Sequence, residues 1–129
     1  FEGSLIDNIK TGKDISYSII NKLADVTGLT EFINKHPEGY DLKLYPGRYD
    51  LPASITKKIL LIRALVGSPK LVLLEYPALY MTKQQSADVL EYIRKELKDA
   101  TVILISDEEH VADWCSKLLI LENGTVKTV

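Results

Sequence analysis

A chain of 129 residues has the length of one domain. With 46% hydrophobic and 26% charged residues, it has the balance of a soluble globular chain, which excludes a disordered, collagen-like or disulfide-built protein. Sixteen Lys plus Arg against eighteen Asp plus Glu leave a net charge of −2, and one cysteine stands alone, so neither a broadly basic nucleic-acid footprint nor an internal disulfide is expected.

In chain order, apolar residues at Ile15, Ile19, Ile20, Leu23 and Val26 have helical spacing and predict a helix over 14–26, closed by Gly28. A short helix is expected over 29–35, ended by Pro37. The stretch 37–51, with Gly39, Pro46 and Gly47, reads as a loop. A third helix is expected over 54–66, with Ile55, Ile59, Ile62, Leu65 and Val66 along one face. Its apolar run Ile59–Ile62 stops at Arg63, far short of a bilayer span.

The second half alternates. Leu71–Leu74, Thr101–Ile105 and Lys117–Leu121 are short apolar runs, separated by amphipathic helices over 82–97 and 108–115. Such runs predict a parallel sheet covered on both faces. Asn123-Gly124 between Leu118–Leu121 and Thr125–Val129 predicts a terminal hairpin. The fold class expected is α/β: a helical half, then parallel strands with flanking helices.

Ligands of open parallel sheets sit at the carboxyl ends of the strands. Glu75 closes the first buried strand, and Asp107 follows the second just past Ser106. This pair could hold magnesium, which takes hard carboxylate oxygens. The plainer reading is solvated strand-end acids, with Ser106 and Glu109 forming an S-x-x-E capping box for the next helix. Gly12-Lys13 lacks the rest of a phosphate loop, because Asp7 and Asp14 occupy the positions of its first glycine and its hydroxyl. His36 and His110 have no Cys or His partner at metal-ligand spacing. Cys115 beside Trp114 reads as a packed thiol, and Lys57, Lys58 and Arg63 as a solvated helix face.

The order of these pieces resembles the nucleotide-binding domain of ABC transporters, exporter type. Phe1 to Ile9 is similar to the family's "F-x-G-(S/T)-I-x-x-N-I" stretch. Pro37-Glu38-Gly39-Tyr40-Asp41 is similar to its "P-E-G-Y-D". Leu51 to Leu65 keeps the spacing of the signature segment, ending in Arg63-Ala64-Leu65. Ser68 to Leu74 resembles the Walker B strand, Thr101 to Ser106 the strand before the switch histidine, and Leu119 to Val126 the closing strand and turn.

Against that resemblance the departures concentrate where the family handles nucleotide. The signature "L-S-G-G-Q" is Leu51-Pro52-Ala53-Ser54-Ile55, so Pro52 offers neither hydroxyl nor N–H and Ala53 adds bulk. Glu75 stands at the magnesium-coordinating Asp, and Tyr76 at the catalytic glutamate, where a phenol titrating near 10 is a poor base. The "S-A-L-D" loop is Leu79-Tyr80-Met81-Thr82, and the switch histidine is Asp107.

The resemblance implies an α-helical subdomain over 1–67 and, over 68–129, the carboxyl-terminal part of a P-loop NTPase (RecA-like) core. It implies a fragment, beginning with Phe rather than Met, of a larger transporter at the cytoplasmic face of a membrane, the fragment itself being soluble. Its partners would be a second nucleotide-binding domain and transmembrane domains, with no nucleic acid. ATP and Mg would belong to the longer protein and not to the fragment alone. Loss of the catalytic groups implies a role in dimerisation and coupling rather than hydrolysis. The alternatives are a non-hydrolysing ATP-binding half of a heteromeric transporter, and a free-standing α/β module using Glu75 and Asp107. The strand bearing the phosphate loop, absent here, would lie between Thr101–Ile105 and Lys117–Leu121. The chain alone is therefore expected to rearrange its last strands or to fill the gap from another copy.

Overall fold

The computed structural model describes residues 2–45, 47 and 51–129. Phe1 of the opening resemblance and Pro46 of the expected loop lie outside the described residues.

A short strand, β1 (Gly3–Ser4), leads into helix α1 (Leu5–Lys10), which the sequence reading did not anticipate. Ser4 and Asp7 build its start. The Ser4 hydroxyl accepts from the Asp7 amide at 3.1 Å, and the Asp7 carboxylate accepts from the Ser4 amide at 3.0 Å. The helix ends at Thr11 in the left-handed region, φ 48°. Gly12-Lys13 therefore follows a helix end, whereas a phosphate loop needs a helix start.

Helix α2 spans Tyr17–Thr27, beginning at the Ser16 cap and later than expected from residue 14. It closes on Gly28, whose φ of 71° is left-handed and whose carbonyl accepts from Lys58 Nζ at 3.3 Å. Lys58, read as solvated, is thus fixed against another helix. Helix α3 (Thr30–Lys35) follows, then a 3-10 turn (Gly39–Asp41) and β2 (Lys43–Leu44), which pairs antiparallel with β1. The expected loop is therefore partly structured. Helix α4 (Ala53–Leu65) buries Ile59, Leu61, Ile62 and Leu65.

Strands β3 (Leu71–Glu75) and β4 (Thr101–Ile105) run parallel, Leu71 opposite Thr101 and Glu75 opposite Ile105. Helix α5 (Lys83–Glu96) joins them, opened by a Thr82–Gln85 capping box. Helix α6 is only Glu109–Ala112, shorter than the expected 108–115. Strands β5 (Leu119–Glu122) and β6 (Thr125–Thr128) form the expected hairpin, with Asn123 at φ 49° and Gly124 at φ 75°. Positive φ at both turn residues is the geometry that matches strand twist.

One hydrophobic core runs through both halves. Leu5, Ile9, Ile20, Leu23, Ile62, Leu65, Val72 and Val89 are buried in it, and α2 packs on α5 as well as on α4. At about 2 kcal/mol for each large aliphatic side chain removed from water, this shared core is what holds the helical half on the strands.

One expectation about the sheet fails, and so does one of the two alternatives of another. The β3–β4 pair is covered on one face only. Val72 and Leu74 are buried, while Leu73 and Ile103 on the other face are 64% and 55% exposed. Of the two expected routes to closing the gap, rearrangement of the last strands is not taken: among the described residues β4 and β5 do not pair, and β5 takes only β6 as partner. The other route, filling from another copy, involves a second chain. The hairpin satisfies its own inner edge locally, through a tight turn, so pairing it to β4 would gain only one further ladder.

Candidate functional site

The carboxyl ends of β3 and β4 lie side by side, so Glu75 and the loop bearing Asp107 emerge together. Directly after Glu75 the chain turns at Tyr76, held in the left-handed region at φ 48°. The Tyr76 amide donates to the Ile105 carbonyl at 2.8 Å, extending the ladder one step past the strand. The following loop is knit by the Leu79 amide to the Tyr76 carbonyl, 3.1 Å, and the Met81 amide to the Ala78 carbonyl, 3.0 Å. Glu75, Tyr76 and Asp107 are all exposed. Among the described residues, no ion pair occupies the Glu75 or Asp107 carboxylate, and no group of three or more His, Cys, Asp or Glu could ligate a metal.

The expected Ser106–Glu109 capping box does not form. The Ser106 hydroxyl accepts from the Glu108 amide at 3.1 Å, a turn two residues wide. Helix α6 opens at Glu108 with no side-chain cap. A serine so near its own strand end reaches the nearer amide first. Asp107 therefore sits on an Asx/Ser-type loop, not inside a helix start.

Pro52, Ala53, Ser54 and Ile55 form the start of α4. Pro52 is the cap residue, with φ −51° and ψ 141°, and supplies no side-chain hydrogen bond. Its carbonyl accepts from the amides of Ile55 and Thr56, at 2.9 and 3.0 Å. Pro52 and Ala53 are exposed, and Ser54 and Ile55 half-buried. The first amides of a helix have no acceptor within it, so the positive end of α4 is presented to solvent without a hydroxyl at its cap. Among the described residues, no hydrogen bond joins these four to Glu75, Tyr76 or Asp107.

Sequence reasoning missed one constellation. His110 Nε2 lies 3.0 Å from the hydroxyl of Ser86 on α5, and its Nδ1 lies 3.2 Å from Glu108. Ser86 is 3% exposed. It lines an apolar cleft with Pro77, Met81, Val89 and Val111 that is too narrow to admit water. Cys115 is half-buried and its thiol donates to the Val111 carbonyl at 3.5 Å. Only the S-x-x-x pattern of α5, placing Ser86 on the same face as Val89 and Leu90, hinted at a buried hydroxyl needing a partner.

The chain is similar along nearly its whole length to export proteins. It is 28% identical over 127 residues to a putative export ATP-binding/permease protein of Rickettsia bellii, an overlap of 98% of this chain and 22% of that protein. It is 25% identical over 126 residues to the lactococcin-G-processing and transport ATP-binding protein LagD of Lactococcus lactis, covering 96% of this chain and 18% of LagD. The chain is thus similar in sequence to ATP-binding export proteins. A solved bacterial Atm1-family ABC exporter with ATP bound shares its fold, with a TM-score of 0.78 at 22% identity over 96% of this chain. No family model matches. The chain spans about a fifth of the length of these proteins. Among the described residues, no helix is long and apolar enough to cross a membrane.

Proposed function

We propose that this chain is the carboxyl-terminal part of the ATP-binding domain of an ABC-type exporter, and that its nucleotide-facing positions no longer support hydrolysis. In this reading 1–67 is the α-helical subdomain and 68–129 the partial P-loop NTPase core. The domain pairs with a second nucleotide-binding domain and docks on transmembrane domains at the cytoplasmic face. The observation that carries it is the start of α4. In this reading α4 is the signature helix, and it opens on Pro52, a cap with no side-chain hydrogen bond.

The chemistry follows from the residues. A helix start stabilises phosphate through its dipole and free amides, and α4 keeps those of Ala53 and Ser54. Pro52 removes the hydroxyl, and the methyl of Ala53 keeps phosphate oxygens from the closest approach. Ser54, half-buried, stands one step further along. Glu75 is a hard oxygen donor suited to magnesium, and would hold it in company with phosphate oxygens. The ion, when bound, would neutralise charge between the phosphates. Tyr76 offers a phenol where a general base would need a carboxylate. Asp107 sets a carboxylate where charge on the transferred phosphate would repel it.

A second reading is favoured by Glu75 alone: a non-hydrolysing ATP-binding half of a heteromeric transporter, whose partner supplies the working site. Equilibrium binding of a fluorescent ATP analogue with magnesium, measured on the protein in its membrane together with phosphate release, tests both. Binding without release supports the second reading. Neither binding nor release supports a purely structural domain, and steady release on this chain's own site overturns both.

A further inference from the structure

Ser86, His110 and Glu108 bring together a buried hydroxyl, an imidazole and a carboxylate from two elements far apart in sequence. Helix α6 is four residues long, too short to persist by its own hydrogen bonds. Two things hold it against α5. Val111 is buried, 1% exposed, in the cleft beside Val89 and Met81. The imidazole of His110 reaches Ser86 on one side and Glu108 on the other.

We infer that Ser86, His110 and Glu108 form a hydrogen-bonded clasp that fixes the Ser106–Glu108 loop, and with it Asp107, to helix α5. The direction of each bond follows from the groups. An ionised Glu108 carboxylate only accepts, so the Nδ1 of His110 must carry the proton. In the neutral ring Nε2 is then an acceptor, and the Ser86 hydroxyl donates to it. Ser86 is shut away from water, so losing His110 leaves its hydroxyl without this partner, and a buried polar group without a partner is costly. Ser106 fixes the same loop from its other end by accepting from the Glu108 amide. The loop is pinned at both ends, which sets where the Asp107 carboxylate stands past β4. The importance of that placement for nucleotide rests on the functional reading above; the clasp itself does not.

Nitrogen-detected NMR of the His110 ring in the whole protein, at alkaline pH and without nucleotide, reads the tautomer directly. The clasp requires the Nδ1–H form. Ser86→Ala should shift the ring towards the Nε2–H form, and amide exchange over 106–111 should quicken about three- to tenfold, the loss of one partly buried hydrogen bond. Amides of β3 and β4 should keep their rates. Glu108→Ala, at an exposed side chain, should release the same tautomer preference and serves if Ser86→Ala does not fold. An Nε2–H ring in the parent protein, with exchange over 106–111 unchanged in both variants, overturns the clasp. Because no nucleotide enters, these outcomes stand apart from phosphate release on this chain's own site, which would overturn the functional reading alone.

Discussion

The Tyr76 amide donates to the Ile105 carbonyl at 2.8 Å, so the β3 turn is tied to β4 where the loop to Asp107 begins. This bond uses only main-chain atoms. The side chain at 76 is exposed and can change without moving the strand ends. On the proposed reading, a carboxylate introduced at 76 would therefore stand on an unchanged main chain.

Restoring groups at the strand ends is accordingly not expected to restore turnover. Tyr76→Glu with Asp107→His should leave ATP hydrolysis within about tenfold of the parent rate, since α4 would still begin on Pro52. A tenfold change corresponds to only about 1.4 kcal/mol of barrier. Phosphate release by the double variant in a homodimer checks this; an increase of about a thousandfold would show that the helix start was never limiting.

Gly28→Ala should destabilise the chain by about 1–2 kcal/mol. At φ 71° an L-residue is strained, and a Cβ there would fall 2.1 Å from Gln85 Nε2 and 3.3 Å from Lys58 Nζ. Gln85 cannot swing away freely, because its Oε1 accepts from the Thr82 amide to open α5. Urea unfolding measures the loss, and a midpoint equal to that of the parent would contradict it.

The two faces of β3 should respond oppositely. Leu74→Ala, in the core, should cost about 2–4 kcal/mol. Leu73→Thr, on the 64% exposed face, should stay within about 0.5 kcal/mol and reduce self-association. Denaturation and light scattering on the pair separate these. Equal losses from both would mean that the second face is covered in the protein.

Acid should loosen the first helix. The Asp7 carboxyl is held below its ordinary value, first by the Ser4 hydroxyl, then by the Ser4 amide. A lowered folded pKa means that the unfolded chain binds protons more readily. The contribution is thus present above the ordinary carboxylate range and is lost as pH falls through the folded value. Glu96, lowered chiefly by its hydrogen bond with Lys22, adds in the same sense where α5 meets α2. Asp7→Asn should flatten the acid limb of the stability curve as pH falls through and below the ordinary carboxylate range, while keeping an acceptor for the Ser4 amide. An unchanged acid limb would exclude Asp7 from it.

The sequence disclosed what local patterns encode. The periodicity of α2, α4 and α5, the apolar runs of β3 and β4 and the Asn123-Gly124 turn were all readable, because each is fixed within a few residues. Helix α1 escaped because it is a six-residue helix, and Asp7 was weighed against a glycine rather than as a capping acid. The apolar runs suggested a sheet covered twice, but pattern reports only what a strand is suited to, and Leu73 and Ile103 face outward here. Ser106 and Glu109 matched a capping box in letters; the shorter reach to the Glu108 amide won. The pairing of Ser86 with His110, 24 positions apart, exists only once α5 packs beside α6. Pro52, Glu75, Tyr76 and Asp107 were read as departures by resemblance to a motif, and their roles belong to the proposed function.

The most direct measurement is magnesium-dependent phosphate release from ATP by the purified protein in lipid, with no other nucleotide-binding chain present. On the proposed reading, a chain whose helix α4 opens on Pro52 and that carries Tyr76 beyond β3 should release phosphate at no more than the background rate. Sustained turnover of about 1 per second or more, ordinary for an enzyme, would contradict the account.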